Sequence, residues 1–352
     1  TGGGGGTGPG GSGNNQPGVV TAGEWNDLDH WDFWKKIIND TTFSPAKGYW
    51  GFDPSKRFSF IIKDQGGTPV EDCYIALKNS SGALWETRSD NSGKAELWAG
   101  LFSESENPSE VIVSYNNQNF NFNSIHEISQ GPNQITLPLS DNDRQQIDVM
   151  FVVDATGSMG DELEYLKVEL NDVLNRAAQN VDTQLRSASV FYRDEGDAYV
   201  TRVSPFTFDI ETTVNFVKAQ SAEGGGDWPE AVHSALADAL QQQTWSANAK
   251  ARLLFLLLDA PPHETESIKA EIKQYAKLAA KKGIKIIPVT ASGIDKTTEF
   301  LMRFLSVSTN GTYVFITNDS GIGNEHLQAT VGEYEVEFLN DLMVRLIQKY
   351  SK

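Results

Sequence analysis

The chain has 352 residues, a formal net charge of −18 and 39% apolar residues, which leaves room for two or three folded domains that bury their own cores. The acidic balance argues against nucleic acid as a partner, because phosphate binding needs clustered Lys and Arg. No apolar run approaches the roughly 18 residues needed to span a bilayer.

Residues 1–18 are nearly all Gly, Asn, Ser, Thr and Pro and are expected to form a flexible tether that buries nothing. With no initiating methionine before Thr1, a processed segment is expected ahead of it. A tether of this kind suits a lipid-anchored protein of a bacterial outer membrane, at the cell surface or in the periplasm; an engineered linker has the same composition. Residues 19–44 read as a short helical, linking segment. There Trp31, Trp34, Ile37 and Ile38 recur at helical spacing and form one apolar face, suited to packing on a neighbouring domain or to a ligand platform.

From 45 to 140 the pattern is all-β. Arg57–Lys63, Cys73–Leu77, Lys94–Trp98, Val111–Tyr115 and Gln134–Leu139 are short strand candidates separated by Gly, Pro, Asn and Asp clusters. The single cysteine, Cys73, falls in one of these runs and reads as a small buried hydrophobe. Asp90, in the turn Asp90-Asn-Ser-Gly93, offers a carboxylate to calcium, although a β-turn accounts for the same residues without an ion. With Gly67-Thr-Pro-Val70 followed by Ser89-Asp-Asn-Ser-Gly-Lys-Ala95, this stretch resembles the Ig-like or carboxypeptidase-regulatory-like β-sandwiches of bacterial surface proteins, and a spacer is the role that resemblance implies.

From 145 to 350 strands and helices alternate. Strand candidates are Ile147–Val153, Ser187–Tyr192, Tyr199–Phe206, Leu253–Leu258, Ile284–Thr290 and Gly311–Ile316. The continuous apolar run Leu253–Leu258 implies burial on both faces of a parallel sheet. Leu163, Leu166, Leu170, Val173, Leu174 and Ala177 line one face of a first helix; further helices are expected near 229–243, 264–282 and 335–349. The fold class is therefore α/β, a doubly wound, Rossmann-like, mostly parallel sheet.

Such sheets bind ligands beyond the carboxyl ends of their strands. One strand ends in Asp154-Ala-Thr156-Gly-Ser158, which presents three hard oxygen ligands suited to Mg2+, Ca2+ or Mn2+, although Ser158 also suits a helix N-cap. Two further acidic loops are expected at the same edge: Glu223-Gly-Gly-Gly-Asp227-Trp-Pro-Glu-Ala231, and Asp259-Ala-Pro-Pro-His263. Trp228, His263 and Asp194 are candidates for a ligand rim. Asp194 and Asp197 either extend the site or occupy a solvated turn between two strands.

The motif Asp154-x-Thr156-x-Ser158 resembles the Asp-x-Ser-x-Ser signature of the von Willebrand factor A domain with a metal-ion-dependent adhesion site. Phe191-Tyr-Arg-Asp194, Gly225-Gly-Asp227-x-Pro-Glu230 and Asp259-Ala-Pro-Pro-His263 resemble most the A domains found beside alpha-kinases and in bacterial surface proteins. No kinase-like sequence accompanies them. The resemblance implies metal ligation by Asp154, Thr156, Ser158, Asp227 and Asp259, with Mg2+ as the cofactor and Ca2+ or Mn2+ as alternatives. It also implies a monomeric, non-enzymatic adhesion module for an extracellular protein ligand, touching a membrane only through its anchor. Aspartate at 227, where the family often has threonine, adds a third carboxylate. That is expected to tighten cation binding and weaken attraction for a partner's carboxylate. The rival expectations are an ion that only locks the loops, and a metal-dependent hydrolase.

Overall fold

A computed structural model of the chain describes residues 17–102, 107–138, 144–180, 184–226, 228–321 and 325–352. The tether expected over 1–18 lies outside them up to residue 16, and so does Asp227.

Strand β1 (Thr21–Trp25) is followed by helices α1 (Trp31–Ile37) and α2 (Ser44–Trp50). Next come β2 (Arg57–Asp64), β3 (Tyr74–Asn79), β4 (Gly82–Arg88), β5 (Lys94–Trp98), β6 (Glu110–Tyr115), β7 (Gln118–Phe122) and β8 (Asn133–Leu137). The chain continues through β9 (Gln146–Asp154), α3 (Gly160–Asn180), β10 (Gln184–Tyr192), β11 (Thr201–Thr207), α4 (Ile210–Lys218) and α5 (Val232–Ala237). It ends with β12 (Ala251–Leu258), α6 (Glu266–Lys282), β13 (Ile284–Thr290), α7 (Lys296–Ser308), β14 (Tyr313–Ile316), β15 (Val336–Phe338) and α8 (Leu339–Ser351).

The large sheet has the order β11-β10-β9-β12-β13-β14-β1-β15, with β10, β9, β12, β13 and β14 parallel to one another. Side chains alternate across it with a period of two. On β12, Leu253, Phe255 and Leu257 join Leu166 and Leu170 of α3 and Leu342 of α8. Leu254, Leu256 and Leu258 join Leu236 of α5, Ala276 of α6 and Leu305 of α7. Both faces are therefore covered, which is why the strand reads as an unbroken apolar run; each such leucine contributes roughly 2 kcal/mol of burial.

The segment 19–44 is more than a helical link. Its helix α1 packs as its apolar stripe implies, with Trp34 stacked 5.9 Å from Phe300 of α7. Its first residues, however, form β1, antiparallel to β14 and β15 inside the large sheet. Gly23 permits this pairing, since a Cβ there would sit 2.6 Å from the Phe315 ring. The backbone N–H groups of Gly18 and Val20 donate to the Glu169 carboxylate of α3. The chain thus contributes β1 to the large sheet before it enters the β-rich region, which lies between β1 and β9. Arg303, fully buried in α7, reinforces the junction through its bonds to Asp27 at 2.6 and 2.9 Å.

The β-rich region forms two small sheets, β5-β2-β8 and β4-β3-β6-β7, whose Phe60, Ile62, Leu97, Ile75, Leu77 and Val113 share one core. Strands β4 and β7 were not among the expected ones. Asp90 holds its turn by accepting from Ser92 and Lys94, and its other oxygen pairs with Lys285 at 3.2 Å, so the β-turn reading describes it without calcium. Among the described residues no helix is long and apolar enough to cross a membrane.

Candidate functional site

In the large sheet the chain leaves β9 for β10 on one side and returns to β12 on the other, so the switch of direction falls at the carboxyl ends of β9 and β12. The loops that follow these strands supply the site.

Asp154, the last residue of β9, is fully buried. Its Oδ1 accepts from the Thr156 N–H at 2.9 Å and from the Thr156 hydroxyl at 2.7 Å. The Ser158 hydroxyl lies 3.1 Å from that of Thr156. A short turn, Gly157–Met159, then leads into α3. Asp154 Oδ2 is buried and, among the described residues, has no partner at hydrogen-bond geometry, with the buried Tyr192 hydroxyl close enough to favour the charged carboxylate.

The glycine loop is locked onto this turn. Glu223 N donates to Ala155 O at 3.1 Å and Gly157 N to Gly224 O at 3.0 Å. Gly225 has φ +68°, and a Cβ on it would stand 2.9 Å from Glu230 Oε1 and 3.2 Å from Thr156 Cβ, so only glycine fits between them. The third loop starts at Asp259, which is 5% exposed and has an unpartnered Oδ1. It is pinned to the second by the bond from Glu230 N to Pro261 O at 2.9 Å.

Asp154, Thr156, Ser158 and Asp259 are thus brought together, and Asp227 lies outside the described residues between Gly226 and Trp228. Trp228 is 47% exposed on the rim. Asp194 is not in a solvated turn: it is buried, and its Oδ1 is 2.6 Å from His263 Nε2, so these two rim candidates hold each other. Asp197 serves the loops, its Oδ2 accepting from Asp194 N at 3.1 Å and Gly225 N at 2.9 Å.

Glu230 escaped the sequence reading. It is 2% exposed, and its Oε2 is buried without a partner. Its place after Pro229 looks like an ordinary acidic residue in a first helical turn, but α5 begins only at Val232. Burial, then Asp154, Asp194, Asp259 and Asp197 in turn, push the Glu230 carboxyl up to about 9. Burial and then the Asp259 charge push Asp154 up to about 7, and burial pushes Asp259 up to about 6, with the Ser158 hydroxyl working the other way. Burial and the same carboxylates hold the Tyr192 phenol well above its usual range.

Among the described residues three buried carboxyl groups therefore each keep an oxygen without a partner at hydrogen-bond geometry. Leaving such atoms without compensation is costly, and protons or a cation relieve the cost. Among the described residues no group of three or more His, Cys, Asp or Glu forms a ready cage for a metal ion. The described donors are two aspartates and two hydroxyls, the all-oxygen kind of set that a hard cation takes.

A family model described as the von Willebrand factor A domain matches residues 148–324, half of the chain. An ariadne-like RING finger protein of Acanthamoeba polyphaga mimivirus is 30% identical over 131 residues, 35% of this chain and 12% of that protein. An alpha-protein kinase of Dictyostelium discoideum is 34% identical over 125 residues, 34% of this chain and 19% of that protein. The chain spans under a fifth of the length of either relative. The crystal structure of the conserved hypothetical protein BatB from Bacteroides thetaiotaomicron aligns with a TM-score of 0.41 and 14% identity, over 58% of this chain and 98% of that one.

Proposed function

The chain belongs to the von Willebrand factor A family, and from that premise we propose that it is a non-catalytic protein-binding module whose rim is organised by one hard divalent cation, Mg2+ in the first instance. Asp154 and Asp259 would hold the ion with the hydroxyls of Thr156 and Ser158, joined by Asp227. The observation that carries this reading is the pair of buried, unpartnered oxygens, Asp154 Oδ2 and Asp259 Oδ1, on two loops pinned to one another. When bound, such an ion supplies an electrophilic position for an oxygen of the partner.

Glu230 sharpens the proposal. With Asp154, Asp259 and Glu230 near one another, the carboxyl groups of the described site alone would more than balance a divalent ion once it displaced their protons. Recognition then favours a neutral oxygen of the partner, a carbonyl or hydroxyl, over a carboxylate. The exposed indole of Trp228 supplies an apolar anchor beside it. Against a hydrolase stands the wiring of His263: among the described residues it pairs with Asp194 and with no hydroxyl or thiol that it would activate.

Isothermal titration calorimetry of Mg2+, Ca2+ and Mn2+ into the full chain tests the site. Saturable binding to the wild type, lost in Asp154→Ala and in Asp259→Ala, is expected. No binding to the wild type, or unchanged binding in Asp154→Ala, would remove the metal from the proposal. Cation-dependent hydrolysis of a phosphoester panel, abolished by Asp154→Ala, would replace adhesion with catalysis.

A further inference from the structure

At the other end of the large sheet, where its parallel strands begin, the charge reverses. A cleft of about 510 Å3 opens between β4, the carboxyl end of α6 and the loop before β12. Its charged wall residues are Arg88, Arg252, Lys281 and Lys282, and among the described residues no Asp or Glu lines it. Tyr74, Arg88 and Ala247 also line a second cleft of about 710 Å3, which adds Arg144 and Asp72. Among the described residues the two clefts carry five cations against two carboxylates: Arg88, Arg144 and Arg252 share Asp72, and Lys281 faces Glu86, on a chain of net charge −18.

The cations are not equally committed. Arg252 is spent on structure: it donates to Asp72 and to the Ser246 and Ala247 carbonyls. Lys281, half exposed, pairs with Glu86 at 3.0 Å. Lys282 is different. Its ammonium donates to the Leu240 carbonyl at 2.6 Å, and among the described residues no carboxylate faces it. Burial lowers its pKa, as befits a charge losing water without gaining a counter-ion. An incoming anion would supply what it lacks.

Length and lining select the occupant. The joined clefts are far larger than a single phosphate needs, and beyond Arg88 the wall presents Ser114, Asn116, Asn117, Asn119 and Asn248. Asparagine side chains offer both donors and acceptors, which suits the N–H and C=O groups of an extended chain. Leu278 and Trp245 add apolar surface between the charges. We propose that this groove binds an acidic, extended peptide segment of a partner protein, at a site separate from the loop rim.

Fluorescence anisotropy of a fluorescein-labelled octaglutamate peptide, titrated with the full chain, tests this. Saturable binding that weakens with salt is expected, unchanged by EDTA and in Asp154→Ala, which separates it from the metal reading. Lys281→Gln/Lys282→Gln should weaken it about tenfold, as the loss of two facing charges implies. Asn248→Asp, a change at an exposed position that adds a carboxylate to the wall, should weaken it in the same direction. Absence of saturable binding, equal binding by both variants and the wild type, or tighter binding of tripolyphosphate or a uridine decamer than of the peptide would overturn the proposal.

Discussion

Asp148 and Asp154 stand near the two ends of β9, both with side chains fully removed from solvent. Asp148 receives two bonds from Arg186, at 2.9 and 2.8 Å, and two more from the backbone and hydroxyl of Ser246, so both oxygens are engaged. Among the described residues Asp154 receives the two Thr156 bonds on one oxygen, while its other oxygen is buried without a partner at hydrogen-bond geometry, near the Tyr192 hydroxyl and under the influence of the Asp259 charge. Burial alone thus says little about what an aspartate is for; its wiring does. At the strand starts, carboxylates such as Asp148 and Asp72 are tied to arginines and hold parts of the fold together. At the strand ends they are left in deficit among the described residues, the observation on which the proposed cation site rests.

The comparison breaks most visibly through substitution of each residue. Asp148→Ala leaves a buried Arg186 guanidinium and the Ser246 N–H without their acceptor and is expected to destabilise the protein by about 3 kcal/mol in urea unfolding. Asp154→Asn keeps an acceptor for Thr156 and removes the excess charge. In metal-free buffer it should stabilise the fold, by on the order of 1 kcal/mol. Equal destabilisation by the two changes would erase the distinction.

The pH dependence follows from the same deficit. Burial and mutual repulsion hold the carboxyl groups of Asp154 and Asp259 above the range near 4 usual for an unfolded chain and push Glu230 up to about 9. Between those limits the folded state binds more protons than the unfolded one. The stability of the metal-free protein therefore falls as pH rises from about 4 towards 9. Melting temperatures in EDTA should be lower at pH 8 than at pH 5. Saturating Mg2+ should raise both, and more at pH 8, because the ion competes with protons for the same oxygens. A melting temperature in EDTA that rises through this window would contradict the reading.

Gly225→Ala comes next in size. It forces a Cβ against Glu230 and Thr156 on a backbone with φ +68°, and a loss of about 1–2 kcal/mol is expected together with weaker cation binding. The same change at Gly226, where a Cβ meets nothing within 4 Å, serves as its control.

These residues also show how far the sequence could be read. Leu253–Leu258 announced a doubly covered parallel strand, because such a strand needs apolar residues at every position, and the topology of such sheets then brought Asp154 and Asp259 to one edge. β1 stayed hidden because Thr-Ala-Gly-Glu-Trp carries little strand signal and its partners β14 and β15 come from the far end of the chain. Helix α4 was obscured by its β-branched Thr212, Thr213, Val214 and Val217. Helix α7 could have been seen: Asp295 accepts from Thr298 N at 2.7 Å, a cap written plainly in the sequence. The ties of Asp194 to His263 and of Glu230 to the Pro261 backbone are long-range, and no local pattern encodes them.

The smallest expected effect on stability separates the two ends of the sheet as binding surfaces. Trp228 is 47% exposed, so Trp228→Ala should change unfolding free energy by less than about 0.5 kcal/mol. An indole that contributes little to the fold is free to contribute to a contact. Its removal should weaken cation-dependent capture of a partner while leaving Mg2+ affinity and octaglutamate binding at the basic groove unchanged. A loss of Mg2+ affinity would instead mean that Trp228 packs over the metal loops and supports them. A loss of octaglutamate binding would mean that the acidic and basic ends, apart in the sheet and opposite in wiring, are coupled through it.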